Sequence, residues 1–150
     1  MNTIRNKVIL LSVVIWITML LVWMLMSYSN QKTIDRYNDI LQRYMLMNRI
    51  SQLSEAAVSS LNQYIANPDT ESNYRYLTNS DELKMAGNRL GMLRNRNNGL
   101  ILTSYAHMIE SQLESMDLAA AYKRGSSNAQ AAYHFGESAK VSKYISETTL

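Results

Sequence analysis

Cysteine is absent from the 150 residues, which excludes a disulfide framework and thiolate metal sites. Histidine occurs only at His107 and His134, and no further ligand groups with either as zinc would require. Proline occurs once, at Pro68, and all five glycines lie beyond residue 86, so little interrupts a helix in the first half of the chain. Alternating apolar and polar positions, the mark of strands, are not evident. The net charge of +3 includes Arg5 and Lys7 at the amino end, and without them 13 basic residues face 12 acidic ones. That balance projects no field toward nucleic acid, and the Arg89, Arg94 and Arg96 cluster reads as a solvated helix end.

One long apolar run is present. Val8 to Met26 is 19 residues without a charge, enough at 1.5 Å each to cross a hydrocarbon core of roughly 30 Å. Ser12 and Thr18 can return their hydroxyls to their own helix. A cleaved export signal is the rival reading, since Arg5 and Lys7 precede the run and Ser27-Tyr28-Ser29 follows it. Its length, Trp16 and Trp23, and the unbroken sequence beyond favour a retained transmembrane helix. The basic start places residues 1–7 in the cytoplasm, residues 8–28 across the cell membrane and residues 29–150 outside, although Lys32 and Arg36 weaken the asymmetry.

The exported part is rich in helix formers, and the fold class is all-α. Ile40, Met47, Ile50, Ser54, Ala57, Leu61 and Tyr64 recur near a 3.5-residue spacing and predict a first helix over about 30–66 with one buried seam. Pro68 stops it, and Asp69 or Thr70 caps a second helix over about 70–96 with Tyr74, Leu77, Leu83, Leu90 and Leu93 as its apolar residues. Asn79-Ser80-Asp81-Glu82 is a second cap signal, expected to mark a kink or break in it. Asn95-Arg96-Asn97-Asn98-Gly99 reverses the chain. A third helix over about 100–124 turns Leu102, Tyr105, Ala106, Ile109, Leu113, Met116 and Ala120 inward. Arg124-Gly125-Ser126-Ser127 closes it, and Ser127 with Gln130 forms a capping box for a fourth helix over about 128–150.

Short connections favour an antiparallel four-helix bundle continuous with the transmembrane helix. The first helix would rise ~55 Å from the membrane and the next two ~40 Å each, so the last 23 residues end ~20 Å short of returning. The last helix is therefore expected to be truncated.

The chain resembles the extracytoplasmic helical sensor region of membrane sensor histidine kinases of the bacillus and paenibacillus type. The likeness rests on the basic start and membrane helix, on Tyr64-Ile65-Ala66-Asn67-Pro68, on Met108-Ile109-Glu110-Ser111, and on Phe135 followed by Glu137-Ser138-Ala139-Lys140-Val141-Ser142-Lys143-Tyr144-Ile145. The resemblance implies a homodimer, a second membrane helix, a HAMP linker, a phosphoacceptor helix and an ATP-binding domain. None of those output parts is in this sequence, so no phosphotransfer is expected of this chain, and no cofactor.

Candidate chemistry is sparse. Glu110 and Glu114 share a helix face with His107, a spacing common on solvated helices. The ten methionines suit soft metals in principle, but six of them (Met1, Met19, Met24, Met26, Met45 and Met47) belong to the initiator, the anchor or its adjoining register. Filling core gaps is the simpler account. Tyr64, Tyr74, Tyr76, Tyr122 and Tyr133 fall near the turns after the first and third helices, as aromatic caps of the core or as a surface for an external ligand or protein. The readings in play are a sensor-kinase input, the ligand-binding part of a methyl-accepting chemotaxis receptor, and a free-standing single-pass interaction protein.

Overall fold

The computed structural model describes residues 2–93 and 99–149. They form four helices, α1 (Asn2–Ala66), α2 (Thr70–Leu93), α3 (Gly99–Arg124) and α4 (Asn128–Thr149), and no strand among the described residues. The predicted reversal at residues 94–98, the end of α2 expected at 96, and Arg94 and Arg96 of the basic cluster lie outside the described residues. By backbone proximity the chain divides into two units, Met1–Leu41 and Gln42–Leu150.

The first unit is helical throughout its described residues, with no glycine or proline to punctuate it. Its apolar side chains are solvent-facing, Trp16 at 71% and Leu20 at 59% exposure. The backbone is satisfied internally. Ser12 Oγ donates to Val8 O at 3.0 Å and Thr18 Oγ1 to Ile15 O at 2.8 Å, so the only polar side chains in the run also hide their donors. The helix is long and apolar enough to cross a membrane.

The second unit is a helical bundle with one core. Ile50, Leu53, Ala57, Leu61 and Tyr64 of α1 meet Tyr76, Leu83, Ala86 and Leu90 of α2, Leu102, Tyr105, Ile109 and Met116 of α3, and Ile145 of α4. Ile40, expected on this seam, is 64% exposed and belongs to the first unit. Helices of 22 to 26 residues flank only that length of α1 counted back from its turn, and Ile40 lies beyond their reach.

Two features of α2 were not readable from its apolar residues and cap signal. Tyr74 and Leu77 face outward, because the seam is Tyr76, Leu83 and Leu90 at seven-residue intervals, and Tyr74 stands about 200° around the helix from Tyr76. Asn79 to Glu82 do not break α2, which runs uninterrupted from Thr70 to Leu93. Asn79 Nδ2 donates to Ala56 O at 3.3 Å, and Glu82 pairs with Arg49 at 3.5 Å, so these residues contact α1 where a cap was expected.

Both described turns are tightly capped. Ser72 N–H donates to Asp69 Oδ1 at 2.6 Å, Asp69 N–H donates to Ser72 Oγ at 3.2 Å, and Ser72 Oγ donates to Asn67 O at 2.7 Å. At the other turn Ser127 N–H reaches Tyr122 O at 2.9 Å and Ser126 N–H reaches Lys123 O at 3.1 Å, a Schellman closure. The left-handed residue there is Ser126, φ 63°, and not the neighbouring Gly125.

Candidate functional site

Side-chain contacts order the helices. Tyr64 meets Tyr76, Tyr76 meets Asp117, and Tyr122 meets His134, so the 67–69 and 125–127 turns share one end of the bundle. All five predicted tyrosines lie at that end, and the structure sorts them by role. Tyr64 and Tyr76 stack at 6.0 Å with 13° between planes, both buried in the core. Tyr76 O–H donates to Asp117 Oδ1 at 2.8 Å. Burial first, then that carboxylate, pushes its phenol well above the ordinary value, so it remains a neutral donor at physiological pH.

Tyr122 and Tyr133 are brought together by His134. The imidazole stacks on Tyr122 at 5.3 Å and meets Tyr133 edge-on at 5.1 Å. Tyr122 is half-buried and Tyr133 is exposed. Tyr74 stands apart on the α1–α2 groove of about 410 Å³, beside Arg75 and Gln63. Thus two of the five are core caps and three present aromatic surface.

Asp69 sits at the same end. Its carboxyl is held below the usual carboxylate range by the Ser72 backbone N–H, then by the Ser72 hydroxyl. His107 lies 3.7 Å from Glu110, both exposed, a surface pair and no more. No group of three His, Cys, Asp or Glu side chains converges among the described residues. Of the methionines, Met116 is fully buried and Met47 partly packs, while Met45, Met85 and Met92 are exposed and fill no gap.

Sequence reasoning missed two features. One is a buried polar layer at mid-core. Ser54 Oγ donates to Gln112 Oε1 at 2.7 Å, Ser142 Oγ lies 2.8 Å from Ser54 Oγ, and Gln112 Nε2 donates to Ser54 O at 3.2 Å. Ser54 and Gln112 are wholly buried. The signal was Ser54 in register with the α1 seam; its partners 58 and 88 residues away could not be read locally. The other is a groove of about 1090 Å³ between α2 and α3, floored by Ile109 and Leu113, with Gly87 and Gly91 along one wall. A smaller groove of about 520 Å³ runs between α1 and α4 past Val58, Phe135 and Ala139.

No family model matches the sequence, and no curated protein matches it by sequence. A search of solved structures finds a likeness in fold. A chain of the XylFII-LytSN complex superposes with a TM-score of 0.63 at 18% identity, covering 73% of this chain and 90% of that one. At that identity the likeness concerns the fold alone.

Proposed function

We propose that this chain is the sensory input portion of a membrane-bound sensor histidine kinase. In this reading residues 1–7 are cytoplasmic, residues 8–28 cross the cell membrane, and residues 29–150 form an extracytoplasmic antiparallel four-helix bundle that acts as a homodimer. The carrying observation is α1. One helix contains the apolar span and then supplies Ile50, Ala57 and Leu61 to the bundle core, so a change of core packing acts on the element that carries the span.

Two further findings support the reading. The helical fold is similar to that of a chain of the XylFII-LytSN complex, and that neighbour was solved in an assembly of two proteins. A protein ligand is accordingly the favoured stimulus here, with the outward-facing Tyr74, Tyr133 and Tyr122 as its candidate contacts. In this reading the chain's role is to couple binding outside to displacement of α1.

The test is the coding sequence beyond codon 150. The reading expects a second apolar segment within about 15 to 25 residues, then a phosphoacceptor helix and an ATP-binding domain. A methyl-accepting coiled coil there would make the chain a chemoreceptor input, and a stop codon would leave a single-pass interaction protein. Topology is checked separately with impermeant thiol reagent on intact cells. Ser104→Cys should label and Asn6→Cys should not.

A further inference from the structure

The bundle is built from two hairpins, α1–α2 and α3–α4, whose turns share one end. Two seams join them, α1 against α4 with Gln112 of α3, and α2 against α3. On the first seam Ser54 meets Ser142, and Gln112 Oε1 accepts a hydrogen bond from Ser54 Oγ. One turn from Ser54 on α1 lies Ser51, also buried. One turn from Ser142 toward the shared turn end lies Ser138, wholly buried, with its hydroxyl returned to Phe135 O at 2.8 Å. On the second seam Gly87 lets Ile109 close in. A Cβ built at Gly87 would stand 3.1 Å from Ile109 Cγ2 and 3.8 Å from its Cβ. One turn further along α2 lies Gly91, where a Cβ would meet nothing within 4 Å.

From this repetition we infer that the α1–α2 hairpin has a second register against α3–α4, one helical turn (about 5.4 Å) toward the shared turn end. In the shifted register Ser51 replaces Ser54 at Gln112 and Ser142, Ser54 faces Ser138, and Ile109 sits over Gly91. The serine and glutamine layer keeps partners and the bulky side chain keeps a glycine beneath it, while Tyr76 gives up Asp117. With Ser51, Ser54 and Ser60 included, the buried positions of α1 recur every three or four residues, so one turn carries buried positions of α1 into one another. The opposite shift is blocked at both seams. It would bring Leu83 to the place of Gly87, where even a Cβ is tight against Ile109, and Ala57 or Val58 to Gln112, which would lose its partner.

The shift gives the proposed sensor two discrete settings of the helix that carries the apolar span. Its meaning as a signal rests on that proposal, but its existence does not.

Disulfide trapping in native membranes tests it, because these 150 residues carry no thiol. Ser54→Cys with Ser142→Cys, and Gly87→Cys with Ile109→Cys, report the observed register and verify folding. Ser54→Cys with Ser138→Cys, and Gly91→Cys with Ile109→Cys, report the shifted one. Ser54→Cys with Ser146→Cys, and Leu83→Cys with Ile109→Cys, report the blocked direction. With a shifted state populated at roughly 1–10%, both shifted pairs close ~10–100-fold more slowly than the observed pairs, and the blocked pairs do not close. Adding Gly91→Leu should suppress the distant Ser54–Ser138 crosslink while leaving Ser54–Ser142 unchanged. Shifted pairs that close no faster than blocked pairs, closure at one seam only, or insensitivity to Gly91→Leu would each overturn the inference. None of these outcomes bears on whether an output domain follows, so the two proposals fail separately.

Discussion

Single residues carry several measurable consequences. Ser126 holds a left-handed conformation that costs an L-residue roughly 1–2 kcal/mol, while glycine adds unfolded-state entropy. Ser126→Gly is therefore expected to stabilise the bundle by about 0.5–1 kcal/mol, read by thermal unfolding. In the buried layer, Ser54→Ala strips Gln112 of its partner and should cost about 1–3 kcal/mol, whereas Ser54→Ala with Gln112→Leu recovers part of that loss. A double-mutant cycle measures the coupling, and simple additivity would contradict the hydrogen-bonded geometry. Asp69 has its folded pKa lowered, so its stabilisation is fully present above the unfolded value of about 4 and disappears as pH falls through the folded value. Asp69→Asn keeps a capping oxygen and should flatten the acid limb of stability against pH. Asp69→Ala should lower stability at pH 7 by more than it does at pH 2.

At the scale of elements, α1 is one helix under two regimes. Ile17 and Leu21 lie within an apolar run where a central acidic residue costs about 2.5–3.5 kcal/mol in a bilayer. Ile17→Asp with Leu21→Asp should move the protein from the membrane to the soluble fraction on centrifugation, and retention in the membrane would count against the span. In α2 and α4, glycines are informative by what stands over them. Gly136→Ala and Gly91→Ala add a methyl to open space and should stabilise by about 0.5–1 kcal/mol through helix propensity. Gly87→Ala meets Ile109 at 3.1 Å and should gain less or lose.

For the whole molecule, the division near residue 41 predicts opposite answers from one helix. Leu61→Ala opens the shared core and should cost about 2–5 kcal/mol. Ile40→Ala, outside that core, should stay within about 0.5 kcal/mol. Unfolding followed by near-ultraviolet circular dichroism in detergent distinguishes them. The same division frames the proposed function, in which the bundle receives and the first unit crosses the bilayer.

Local chemistry determined much of this protein. A charge-free run of 19 residues, one proline at the first turn, and the Asp69 cap specify helical elements through backbone and solvation preferences acting over a few residues. The α1 seam from Met47 to Tyr64 was legible because one continuous periodicity runs through it. The phase of α2 was not. Tyr74 and Tyr76, or Leu77 and Leu83, are equally apolar on paper, and only partners on α1 and α3 select which face is buried. The same holds for function. Five tyrosines near two turns could be core caps or an aromatic surface, and only packing sorts them, burying Tyr64 and Tyr76 and leaving Tyr74 and Tyr133 outside. The serine and glutamine layer and the paired glycines acquire meaning only when three helices converge, because a hydrogen bond or close approach between residues tens of positions apart leaves no local trace in the chain.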